Sequence, residues 1–193
     1  MQTTTEAKNL RLELYCLGDS RATLGAQPLT LTRRQFETLA LLALNPAGLS
    51  SADLALELYG DRQKSVKALL SRLRRKVPLA SQPYRLLNVD ADFLKLRRSL
   101  FAGQLNKAAE LYGGELLPWS HAPGIREERA FLEAGLKEAV LHAQSPETLF
   151  HLCKTVDQDL ELWEELTATL PASDPRLPFA AAKVRHMQAT WAC

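Results

Sequence analysis

The chain has 193 residues, 46% of them hydrophobic and 24% charged, and its 24 Lys and Arg against 22 Asp and Glu leave a formal net charge of +2. That size suits one or two domains with a sizeable core, and the composition excludes the disordered and collagen-like classes. No run of about 18 apolar residues occurs, nor a basic start followed by an apolar stretch, so neither a membrane span nor a secretory leader is expected and the cytoplasm is the expected location.

The three cysteines, Cys16, Cys153 and Cys193, are far apart and lack CxxC spacing. They read as reduced thiols that pack, not as a disulfide framework or zinc site. Charge is divided unevenly: residues 1–88 carry 13 Lys or Arg against 7 Asp or Glu, whereas residues 89–193 carry 11 against 15. A basic half attracts polyanions such as nucleic acid, and an acidic half more readily meets protein.

In chain order, residues 1–9 are polar and read as a disordered arm. Leu10, Leu12, Leu14 and Cys16 alternate with Arg11, Glu13 and Tyr15, the pattern of a strand with one buried face. Gly18 and Asp19 turn the chain into a second short strand at Arg21–Gly25, and Leu29–Leu31 follows Gln27 and Pro28, so a small antiparallel sheet is expected. Thr32 with Gln35 forms a capping box for a first helix that ends near Asn45 and Pro46. Ser50 with Asp53 starts a second, short helix, which Gly60 stops.

Asp61 is the expected N-cap of a third helix running to about Val77, its acidic start and basic end suiting the helix dipole. That assignment leaves Gly60–Gln63 as the connection between the second and third helices. Tyr84–Val89 is apolar enough for a strand after Pro78 and Pro83. Beyond residue 89 strand signals vanish. Helices are expected from Asp92, from about Leu105 and from about Gly124, then over 147–155, 158–170 and 178–190, stacking like tetratricopeptide hairpins.

The third helix carries the chemistry. At about 100° per residue, Val66, Leu69, Leu70, Leu73 and Val77 share one face, with Lys64, Ala68, Ser71 and Arg75 opposite and Ser65, Lys67, Arg72 and Arg74 flanking. Between Asp61 and Pro78 seven basic residues face one acid. The small Ala68 and Ser71 would let the helix axis approach a groove floor while Lys and Arg on both sides reach phosphates. A helix held by two capped predecessors is how a helix-turn-helix presents its reading element.

The order strand, strand, helix, helix, basic helix ending SRLRRKV (71–77), then PYRLL (83–87), resembles the winged helix of OmpR-type transcription factors, and GLSSADLALELYGD (48–61) is similar to their second helix and following loop. GQLNKAAELYGGELLP (103–118) with REERAFLEAGLKEAV (126–140) resembles the bacterial transcriptional activator domain that follows the winged helix in SARP-type regulators. The resemblance covers most of residues 10–143. It implies a mostly α fold with a small N-terminal antiparallel sheet, built as an OmpR-like winged helix-turn-helix at 10–88 and an all-α tetratricopeptide-like domain at 89–193.

By that resemblance the chain is a sequence-specific regulator that binds double-stranded DNA. Contacts would fall on Lys64, Ser65, Lys67, Ala68, Ser71, Arg72 and Arg75, on the wing at Tyr84 and Arg85, and on Arg33 and Arg34 at the mouth of the first helix. The helical half would serve a homodimer or meet RNA polymerase. No ATPase module, sensor or phosphorylated receiver domain is expected. The alternative from another class is an adaptor whose helical half grips a peptide and whose basic half is a structural cap.

Catalytic signals are thin. Glu127, Glu128 and Glu133, and the group Asp157, Asp159, Glu161, Glu164 and Glu165, lack a base in a pocket motif. His151 and Cys153 point apart on a helix, and His121, His142 and His186 have no partner at ligand spacing. No phosphate-cradling GxxxxGK[ST] and no GxGxxG after a strand is present. No enzyme activity, metal or cofactor is expected, and Trp119, Trp163 and Trp191 read as packing residues.

Overall fold

The structure, a computed structural model, describes residues 10–191; the arm expected at 1–9, Cys193 and the side chain of Trp191 lie outside the described residues. β1 (Leu12–Tyr15) buries Leu12 and Leu14, and Cys16 continues the alternation just beyond it. It pairs antiparallel with β2 (Arg21–Leu24), Leu14 opposite Ala22, and β2 pairs with the two-residue β3 (Gln27–Pro28). The sheet gains a fourth strand that the sequence pattern did not show. β6 (Val89–Ala91) lies parallel to β1, with Leu12 opposite Val89, giving the order β3-β2-β1-β6.

Three helices follow the hairpin. α1 (Arg33–Leu44) begins at the expected capping box: Gln35 N–H donates to Thr32 Oγ1 at 3.4 Å and Thr32 N–H to Gln35 Oε1 at 3.0 Å. α2 (Ser51–Tyr59) is capped by Ser50, whose Oγ accepts from Asp53 N–H at 3.1 Å. Gly60 ends it at φ 71°, a left-handed conformation in which a Cβ is strained. α3 (Lys67–Arg74) leads to a wing made of β4 (Leu79–Ala80) and β5 (Arg85–Leu86), an antiparallel pair. The strand expected over Tyr84–Val89 is thus split: β5 serves the wing and β6 the main sheet.

The remaining elements are helical. They are α4 (Asp92–Phe101), α5 (Leu105–Leu111), α6 (Pro123–Ala143), α7 (Pro146–Thr155), α8 (Leu160–Thr169) and α9 (Leu177–Trp191). Pro146 sits in the first turn of α7 behind its cap Ser145, where a missing N–H costs nothing.

The chain divides into two compact units, one reaching to Lys95 and taking in Glu115–Phe131, the other comprising Leu96–Gly114 and Leu132 onward. The first unit therefore extends beyond the residue-88 line drawn from the sequence. Its return segment is knitted in by backbone bonds: Gly18 N–H donates to Glu115 O at 2.9 Å and Leu117 N–H to Cys16 O at 2.9 Å. Arg129 donates from Nε to Leu116 O at 2.8 Å and from Nη2 to the carbonyls of Leu117 and Ser120. Leu116, Leu117, Ala122 and Ile125 are buried with Leu39, Leu42, Leu54 and Leu58 as parts of this unit's core.

Asp92 ties the sheet to the start of α4. Its Oδ2 accepts from the backbone N–H groups of Cys16 and Leu17, at 2.8 and 3.0 Å, and its Oδ1 from Phe93 N–H at 2.8 Å. Burial still raises its pKa, outweighing the stabilisation that those N–H groups give the carboxylate.

In the second unit α8 packs against both α7 and α9, and α5 against α7. Trp163 is buried, edge-on to Phe179 at 5.8 Å between ring centroids, with its Nε1 donating to Asp157 O at 3.0 Å.

Candidate nucleic-acid interface

α3 presents two unlike faces. Val66, Leu70, Leu73 and Val77 are buried, and Leu69 is half-buried. Lys67, Ala68, Ser71, Arg72 and Arg75 are exposed together on the other side. A helix with this apolar stripe is held by core burial, which leaves its polar face turned outward.

The helix is shorter than its sequence suggests. Asp61 does not cap it: its Oδ1 accepts from Gln63 N–H at 2.8 Å and closes a local turn. The loop therefore runs through Gly60–Val66, and the N-cap position falls to Val66, which makes no side-chain cap. Lys64 and Ser65 are exposed, but they belong to this loop and not to the helical stripe. Arg75 is the C-cap residue.

The cations divide into occupied and free. Arg34 donates to Glu37 Oε2 at 2.8 Å and lies over the Tyr59 ring at 5.0 Å; Lys64 lies over that ring at 5.5 Å. Arg33 stacks on Trp119 at 5.4 Å, and Trp119 Nε1 donates to Ser20 Oγ at 2.9 Å. Arg62 pairs with Asp53 at 3.5 Å, Lys76 Nζ donates to Thr30 O and Gln35 Oε1, and Arg74 lies over Tyr84 at 5.3 Å. Among the described residues, the side chains of Lys67, Arg72, Arg75 and Arg85 make no ion pair, hydrogen bond or ring contact.

The wing is bolted down at its base. Leu49 and Tyr84 exchange N–H···O bonds of 2.9 Å in both directions. Gly48, at φ +94°, faces Pro83 and the Tyr84 carbonyl so closely that a Cβ would lie 2.8 Å from Pro83 Cγ. Arg85, next along the wing, is exposed.

No family model matches the chain. A Rhodococcus erythropolis protein, described as an uncharacterized 47.3 kDa protein in the thcA 5′ region, is 31% identical over 182 residues, which is 90% of this chain and 42% of that protein. Among solved structures, Mycobacterium tuberculosis EmbR in complex with a low affinity phosphopeptide aligns with a TM-score of 0.54 at 20% identity, over 95% of this chain and 60% of that one. The chain has the fold of EmbR. That likeness carries the architecture, a winged helix followed by a helical domain.

Other titratable groups have local explanations. Lys137 bridges Asp159 and Glu161 at 2.7 Å each beside a cleft of about 550 Å³, and Asp159 also caps α8. Lys183 pairs with Asp157 at 2.6 Å, while Glu164 and Glu165 accept from Gln188 and Gln144. Burial pushes the Cys153 thiol up to about 12 and holds the Cys16 thiol well above its ordinary value, so neither is a thiolate near neutrality. Burial, with Glu127 and Asp53 nearby, also raises Glu57. Among the described residues no group of three or more His, Cys, Asp or Glu could hold a metal, and no helix is long and apolar enough to cross a membrane.

Sequence spacing could not reveal the parts played by Glu37, Arg74 and Trp119. Ser120 donates to Glu37 from 83 residues on, Arg74 meets Tyr84, and Trp119 meets Arg33 and Ser20.

Proposed function

We propose that the chain is a sequence-specific, double-stranded DNA-binding transcriptional regulator of the SARP kind, acting in the cytoplasm and without catalysis. α3 enters the major groove, with Ala68 and Ser71 against base edges and Lys67, Arg72 and Arg75 reaching phosphates or base edges. Lys64 and Ser65 approach from the preceding loop, and Arg85 lies along the neighbouring groove. Arg33 and Arg34 contribute positive potential while they hold Trp119 and Tyr59. The helical unit serves a homodimer or contacts RNA polymerase.

One observation carries this reading: among the described residues, the side chains of Lys67, Arg72, Arg75 and Arg85 make no ion pair, hydrogen bond or ring contact, and the first three lie along α3 and its C-cap around two small residues, opposite a stripe in which Val66, Leu70, Leu73 and Val77 are buried. The shared fold with EmbR supports it. The test is selection of bound fragments from genomic DNA, repeated at two salt concentrations. A common sequence should emerge, and log K should fall with log salt by about 0.9 for each phosphate neutralised. No enrichment and no salt dependence would instead favour the peptide-gripping adaptor.

A further inference from the structure

We propose that Arg74 is a positioning residue, not a phosphate contact: it clamps the wing residue Tyr84 to the last turn of α3 and so sets the wing against the reading helix. Arg74 belongs to the same cationic segment as Arg72 and Arg75, and in the sequence it flanks the outward stripe as Arg72 does. The structure separates them. The Arg74 guanidinium carbon lies 5.3 Å from the centre of the Tyr84 ring, whereas the side chains of Arg72 and Arg75 have no ion pair, hydrogen bond or ring contact among the described residues.

Tyr84 is itself tied at its backbone. Its N–H and C=O exchange 2.9 Å bonds with Leu49, in the α1–α2 turn. The wing base is therefore held from two directions, by the α1–α2 turn through the backbone and by α3 through the ring. Gly48 completes the seat, because only a residue without a side chain leaves room there for Pro83 and the Tyr84 carbonyl. A ring covered by a guanidinium on one side and anchored through its own backbone is placed to orient Arg85, the next residue and an unpartnered cation. Tyr84 thus acts inside the fold, and Arg85 is the wing residue left to meet DNA.

The proposal rests on the DNA-binding reading, so the experiment has one arm that needs no DNA. Amide hydrogen exchange of the free full-length chain reads the Leu49–Tyr84 pair directly. An exposed cation–ring contact of about 0.5–1 kcal/mol converts to a two- to fivefold change in the opening equilibrium. Arg74→Ala should therefore speed exchange at the Leu49 and Tyr84 amides about two- to fivefold, Tyr84→Phe should leave it at the parent value, and Arg75→Ala should not alter it. Parent-like exchange in Arg74→Ala overturns the clamp.

The second arm measures affinity for a selected duplex across salt. Arg74→Ala should bind about two- to fivefold more weakly with the parent's salt slope. Arg75→Ala should lower that slope by about 0.9. A slope reduced in Arg74→Ala as in Arg75→Ala makes Arg74 a phosphate contact and overturns the proposal. Should the parent bind no duplex, the DNA reading alone falls, and the exchange arm still decides the clamp.

Discussion

Ser120 Oγ donates a 2.7 Å hydrogen bond to Oε1 of Glu37, a carboxylate buried in α1, across 83 residues of chain. Arg34 occupies the other oxygen of the same carboxylate at 2.8 Å. The bond places the start of the segment leading into α6 inside the winged-helix unit, where the sequence-based division would leave it outside.

Removing the Ser120 hydroxyl leaves one buried carboxylate oxygen without its donor, and an unsatisfied buried acceptor costs about 1–3 kcal/mol. Ser120→Ala should therefore lower the unfolding free energy by that amount, read in urea unfolding as a lower midpoint at an unchanged slope. A midpoint equal to the parent's would show that water or rearrangement replaces the bond.

Leu70 is only 1% exposed and lies on the face of α3 opposite Arg72 and Arg75. Leu70→Ala should cost on the order of 2–5 kcal/mol, through lost burial and the cavity left behind. Thermal melting checks it. A parent-like melting temperature would mean that α3 contributes little to the core.

Asp90 lies between Arg11 at 2.6 Å and Lys95 at 2.8 Å. Burial alone would raise its pKa, but the Lys95 hydrogen bond and charge, with Arg11, outweigh it and hold the carboxyl below its ordinary value. A group whose folded pKa is depressed stabilises the protein above its unfolded value, near 3.8 for this carboxyl, and that stability is lost as pH falls through the lower folded value. Asp90→Asn should be less stable than the parent at pH 7 and should lose less of its remaining stability on going to about pH 3. Urea midpoints for both proteins at the two pH values test this; parallel losses would remove Asp90 from the acid response.

Much of the local architecture was legible. The Thr32–Gln35 box, the Ser50 cap with its Gly60 stop and the Ser145–Pro146 start all mark helix ends where the structure has them. The alternation through Leu12, Leu14 and Cys16 gave β1 its buried face. The start of α3 was not legible, because Asp61 has the residue type of a cap but spends its carboxylate on Gln63 N–H in a local turn. A short polar side chain can satisfy either demand with similar energy, and neighbouring sequence does not choose between them. The parallel strand β6 was missed for a different reason: three residues are too few to show alternation above background.

The helix and strand signals, the two faces of α3 and the concentration of cations between Asp61 and Pro78 are written in the order of residues along the chain. These depend on residues within one or two helical turns, where periodicity and capping act. Which cations remain available and which are held is set by the folded arrangement. Arg33 meets Trp119, Arg34 and Lys64 share Tyr59, Arg74 meets Tyr84, and among the described residues the side chains of Lys67, Arg72 and Arg75 make no ion pair, hydrogen bond or ring contact. The physical reason is range: a cation–ring contact or ion pair forms over a few ångströms in space, and chain spacing does not encode which distant aromatic or carboxylate the fold brings within that distance.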